Sequence, residues 1–108
     1  MGFFNLQYLI IMLRHIVMIK FKDIEKKDEE SARVKLMLEN LTSEIPSLLT
    51  MEVGLNLNTR PSAYDLVLTA DFENEMGLNA YRIHPAHKEV LEYLKPIIDK
   101  TAVVDYIK

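Results

Sequence analysis

Tyr81-Arg82-Ile83-His84-Pro85-Ala86-His87 sets a phenol and two imidazoles around a proline within seven residues. Proline disfavours helical geometry in the residue before it, yet is welcome in a first helical turn, where its missing N–H would have no partner. The stretch therefore predicts that one helix closes at Ile83 and another opens at Pro85. Upstream, Asn74 can cap a helix over Glu75 to Ile83, although Gly77 weakens it by about 1 kcal/mol relative to alanine. Downstream, His87, Val90, Leu91 and Leu94 share one face, so His87 is expected to point inward with the core stripe. Pro96 disrupts this second helix near its end.

Outward from this break the hydrophobic period alternates between two and 3.6. Tyr64, Leu66, Leu68, Ala70 and Phe72 alternate with Asp65, Val67, Thr69 and Asp71, and Met51, Val53, Leu55 and Leu57 alternate with Glu52, Gly54, Asn56 and Asn58. Two half-buried strands follow, joined by a turn over Asn58 to Ser62. Before them Val34, Leu38, Leu41 and Ile45 form a helical stripe that ends ahead of Pro46, with Asp28, Glu29 and Glu30 where a helix N-terminus favours negative charge. His15 to Lys22 reads as a first strand, with His15, Val17, Ile19 and Phe21 on one face and Ile16, Met18, Lys20 and Lys22 on the other. Ala102 to Ile107 reads as the last, with Val103, Asp105 and Ile107 opposite Val104 and Tyr106. The order β-α-β-β-α-β predicts an α+β, ferredoxin-like domain with a four-stranded antiparallel sheet. Because Ile16, Met18, Val67 and either Val103 or Val104 add apolar surface to its second face, something else must cover that face.

Composition narrows the function. At 108 residues there is room for one domain. A net charge of −3 with a pI near 5.6 supplies no basic face for nucleic acid. The absence of cysteine excludes disulfides, thiolate chemistry and cysteine-ligated metals. Residues 1–13 are mostly apolar, but they lack a cationic start and a small-residue cleavage site, and the uncharged run stops at Arg14. Neither a membrane partner nor a secretory signal is expected, and a cytoplasmic location is. Residues 1–11 are read as an upstream extension, with the domain running from Met12 to Lys108.

Three groups of residues also resemble one family. His15-Ile16-Val17-Met18-Ile19-Lys20-Phe21-Lys22-Asp23, Ile45-Pro46, and Tyr81 with His84-Pro85-Ala86-His87 occur in the order and spacing of the stress-responsive A/B barrel (Dabb) family. The resemblance implies a homodimer, a dimeric α/β barrel in which two sheets face each other and the helices lie outside. One polyketide cyclase of that family uses a tyrosine and a histidine matching Tyr81 and His87, which implies a cofactor-independent acid/base pair. His15 matches a further pocket histidine, and His84 joins the substrate-binding candidates. Met37 falls where that cyclase carries a second pocket tyrosine; methionine cannot donate the phenol's hydrogen bond, so a different substrate is expected.

Chemistry read from the residues leaves two functions open. In the first turn of a helix, unpaired backbone donors favour the neutral imidazole of His87, which suits a base, while Tyr81 can donate to an oxyanion. The ligand would be an apolar, carbonyl-bearing small molecule in a cavity between helices and sheet. In the alternative, the protein is a non-enzymatic, stress-related structural or interaction protein whose histidines serve packing. No metal is expected, because His84 lies at the break before proline and no carboxylate has a recognised ligand spacing nearby. If residues 1–11 are an upstream extension, the mass of the natively expressed protein corresponds to a start at Met12; a mass including residue 1 contradicts that reading.

Overall fold

β-Branched and aromatic side chains fit a pleated, half-buried surface, and the first run of them forms strand β1 (Leu13–Phe21) in the computed structural model, which describes residues 11–108. Of the expected extension, residues 1–10 lie outside the described residues. Helix α1 (Lys27–Glu39) follows, with Asp28, Glu29 and Glu30 in its first turn and Val34 and Leu38 buried. The sequence predicts one helix continuing toward Pro46, whereas the structure tightens into a 3-10 turn over Asn40–Ser43. The Thr42 and Ser43 hydroxyls donate to the Glu39 and Asn40 carbonyls at 2.9 Å, the local back-bonding that competes with a regular helix end. Leu41 and Ile45 stay in the core despite the change of pitch.

Strands β2 (Thr50–Leu55) and β3 (Leu66–Phe72) pair antiparallel and are shorter than the alternation predicts. Pairing ends at Leu55 opposite Leu66. Beyond it the Asn56 side chain donates to the Tyr64 carbonyl at 2.5 Å and accepts from the Asn58 N–H at 2.9 Å. This side-chain turn takes the chain off the sheet and leaves Leu57 96% exposed, so Leu57 is not the core residue its position in the pattern suggests. Helices α2 (Glu75–Ile83) and α3 (Pro85–Leu94) lie on either side of the predicted break, and Asn74 accepts from the Gly77 N–H at 3.0 Å as the N-cap of α2. Strand β4 (Ile98–Ile107) starts earlier than expected, because pairing with β1 extends up to Phe21 opposite Ile98 across an irregularity at Lys20 and Phe21.

The sheet order is β2-β3-β1-β4, with every pair antiparallel. This is the ferredoxin-like arrangement, with the helices on one face. Ile19, Leu66 and Phe72 from the sheet meet Val34, Leu38 and Tyr81 from the helices, each at most 2% exposed. Val17 pairs with Val103, and Ile16 with Val104. Val103 is therefore on the helix side, and Val104 joins Ile16, Met18 and Val67 on the second face. Among the described residues nothing covers that face: Met18, Val67, Val104 and Tyr106 are between 36% and 58% exposed. One end of it is polar, where Arg14 grips Asp71 through two bonds of 2.9 and 3.0 Å and Thr50 donates to the same carboxylate at 3.1 Å. Those bonds, Arg14 first, hold the Asp71 carboxyl below its ordinary range. No helix among the described residues is long and apolar enough to cross a membrane.

Phe72 is fully buried with its ring 5.1 Å from that of Tyr81. Replacing it with alanine removes most of that packing at the centre of the core and should cost about 3–5 kcal/mol, read as a lower denaturant midpoint. A loss below about 1 kcal/mol would mean that the core does not centre there.

Candidate functional site

The helix break builds the site by freeing two backbone groups. In an uninterrupted helix the Ala86 N–H would donate to the Arg82 carbonyl; with His84 extended at φ −66° and ψ 136°, that bond is lost. Side chains replace it on both sides. His84 Nδ1 accepts from the Ala86 N–H at 3.0 Å, and the Arg82 carbonyl accepts from His87 Nδ1 at 3.2 Å. A carbonyl cannot donate, so His87 carries its proton on Nδ1, and in the neutral ring Nε2 is an acceptor.

Above the sheet, the Tyr81 ring stacks between its neighbours, 5.1 Å from Phe72 and 4.2 Å from His87, tilted by 58° and 38°. His15 rises from β1 and meets Tyr81 edge-on at 6.3 Å. These three side chains line one cavity of about 280 Å³, completed by apolar groups that include Leu38, Leu68, Val90 and Leu94. His15, Tyr81 and His87, singled out in the sequence, therefore share a single space. His84 and Met37 do not line it. His84 is the N-cap of α3, and Met37 lines a wider, open groove of about 800 Å³ between α1 and α3 together with Leu41 and Tyr93.

Two residues at the site were not anticipated as site residues. Asp105 Oδ1 lies 2.5 Å from His15 Nδ1, and Asp105 Oδ2 lies 3.4 Å from an Arg82 guanidinium nitrogen. Arg82 also lines the cavity. The signal for Asp105 was a lone carboxylate among apolar residues on the helix-facing side of the last strand. Its meaning depends on register, because only the alignment of β1 with β4 sets Asp105 opposite His15.

Tyr81 is 1% exposed, and among the described residues its hydroxyl has no hydrogen-bond partner. Burial pushes its pKa up to about 12, so the phenol keeps its proton at neutral pH and remains a donor. Among the described residues Ser47 Oγ is the one fully enclosed side-chain oxygen or nitrogen without a partner. The unbonded Tyr81 hydroxyl and the Nε2 atoms of His15 and His87 therefore each keep an open side. Burial lowers the pKa of His87 below its ordinary 6.5, outweighing the Arg82 carbonyl bond that raises it, and the charges of His15 and Arg82 lower it further. The neutral ring was expected from the helix N-terminus; desolvation is the larger cause. The arrangement combines a proton acceptor, a proton donor and an apolar enclosure, which suffices for proton transfer beside a developing oxyanion. Among the described residues no group of three or more His, Cys, Asp or Glu side chains is placed to hold a metal ion.

The family model for the stress responsive A/B barrel domain matches residues 13–108. A stress-response A/B barrel domain-containing protein of Arabidopsis thaliana is 30% identical over 96 residues, covering 86% of this chain and 83% of its own. Among solved structures, a dimeric protein of ferredoxin-like fold from Bacteroides fragilis is 31% identical, with a TM-score of 0.80 over 88% of this chain and 94% of its own. A dimeric ferredoxin-like protein from Thermobifida fusca is 26% identical, with a TM-score of 0.74 over 91% and 92%.

A half-buried imidazole whose pKa is lowered by folding binds its proton less readily in the folded chain than in the unfolded one. Its contribution to stability is therefore complete above about pH 6.5 and is lost as the pH falls through that value toward the lower folded-state pKa. NMR titration of the His87 ring should give a midpoint below 6.5, with Nδ1 protonated in the neutral form. A midpoint at or above 6.5 would contradict the partly desolvated, base-ready ring.

Proposed function

The chain belongs to the stress responsive A/B barrel domain family, and from that premise we propose that it forms a homodimer through its sheet faces and that each subunit binds and converts an apolar, carbonyl-bearing small molecule. The apolar stripe of Met18, Val67 and Val104 supports the dimer, because a second copy would cover it and the solved relatives are described as dimeric. The cavity lies on the helix side of the sheet, so this pairing leaves it free.

The unpartnered phenol of Tyr81 carries the catalytic reading. A ligand carbonyl at its open side would give the hydroxyl an acceptor. His87 Nε2, on the ring stacked against it, would remove a proton from the carbon next to that carbonyl, while Tyr81 donates to the enolate oxygen. The alternative, in which the dimer is the function and the histidines serve packing, is favoured by the Nδ1 bonds of both rings, since each accounts for an ordered imidazole. It offers no partner for the phenol among the described residues, which supports the catalytic reading.

The test is hydrogen–deuterium exchange at the carbons flanking the carbonyl of 4-phenyl-2-butanone in D₂O, used as a simple apolar ketone. The protein should accelerate exchange over buffer. His87→Ala and Tyr81→Phe should each reduce that acceleration by about 100-fold or more, while light scattering shows every variant still dimeric. Exchange at the buffer rate with the intact protein, or equal rates in all three, would remove the catalytic reading, and a monomer at micromolar concentration would remove the dimer.

A further inference from the structure

Arg82 touches both imidazoles' partners. Its backbone carbonyl takes the Nδ1 proton of His87, and its guanidinium lies 3.4 Å from Asp105, whose other oxygen holds Nδ1 of His15. Asn79 Oδ1 accepts from the same guanidinium at 3.1 Å and fixes its position along α2. We propose that Asp105, oriented by Arg82, is a positioning residue that makes His15 a second acid–base group of the cavity, matched in tautomer to His87. The proposal rests on the acid–base reading of the cavity and extends it from one proton-transfer group to two.

A carboxylate accepts only, so a neutral His15 bonded to Asp105 has its proton on Nδ1 and its lone pair on Nε2. The His15 side chain is 10% exposed and that of Asp105 31%. A carboxylate in that place sets the tautomer and the orientation of the ring. The Arg82–Asp105 contact contributes little to stability, because exposed ion pairs of this kind are worth about 0–1 kcal/mol. Its effect is geometric: with Oδ2 held by Arg82, Oδ1 stays on His15. The two imidazoles then flank the Tyr81 ring and serve different atoms of one ligand, so the reaction has two proton-transfer positions.

Long-range ¹H–¹⁵N NMR of the imidazoles tests the positioning directly. In the intact protein, above the titration range, His15 and His87 should both show protonated Nδ1 and bare Nε2. Asp105→Leu should move His15 toward a mixture of tautomers and leave His87 unchanged; Asp105→Asn, which keeps an acceptor, should retain the His15 tautomer. Arg82→Ala provides a second variant at an exposed side chain and keeps the backbone carbonyl, so it should loosen His15 and spare His87. In the ketone exchange assay Asp105→Leu should lower kcat at least tenfold with KM within about twofold. A His15 proton on Nε2 in the intact protein, or an unchanged His15 tautomer in Asp105→Leu, overturns the positioning role. Unchanged kcat in Asp105→Leu overturns the second acid–base group. Intact protein without exchange removes the acid–base reading and the second group with it, and the tautomers still decide the positioning role of Asp105.

Discussion

Proline at position 85 cannot donate a backbone hydrogen bond, and the geometry around the cavity depends on that. The break it imposes at His84 separates the Arg82 carbonyl from the Ala86 N–H. One freed group is capped by His84, and the other fixes the His87 ring. A continuous helix would use both groups internally, leaving His87 without its acceptor and His84 without its donor. The same break lets α2 end with Tyr81 buried over the sheet while α3 starts a new face led by His87. Sequence chemistry, local backbone and site electrostatics are thus linked at one residue.

The sheet supplies the remaining constraint, because its two faces do different work. Toward the helices it offers His15, Val17 and Ile19 beneath the cavity; away from them it leaves Met18, Val67 and Val104 unsatisfied in a single subunit. A domain of this size cannot hide both faces with two layers of structure. Membership of the A/B barrel family, with dimeric relatives of the same fold, is consistent with that unequal coverage. The cavity and the exposed apolar stripe then lie on opposite sides of one sheet, so substitutions on the outer face need not disturb the cavity.

Much of this was legible in the sequence because it rests on local signals. Period-two alternation located the strands, Pro85 located the break, and the shared stripe of His87, Val90 and Leu94 turned the histidine inward. Where the local signal was overridden, a side chain was responsible. Asn56 captured the Tyr64 carbonyl and ended β2 before Leu57, and Thr42 and Ser43 bonded back to tighten the end of α1. Met37 stands apart from the cavity because helix rotation is a tertiary fact that spacing does not encode, and His84 does so because it caps α3 at the break before Pro85. Asp105 is the instructive omission: nothing near it in sequence names His15 as its partner, since 90 residues separate them and only strand register joins them.

What unites these features is a largely apolar cavity in which one donor, the Tyr81 hydroxyl, has no partner among the described residues. A crystal structure of the protein soaked with 4-phenyl-2-butanone examines that donor directly. The ketone should lie in the cavity beneath α2 and α3, its oxygen within hydrogen-bond distance of the Tyr81 hydroxyl and an adjacent carbon facing His87 Nε2. A Tyr81 hydroxyl bonded instead to a protein group in a cavity closed to the ketone would contradict the account.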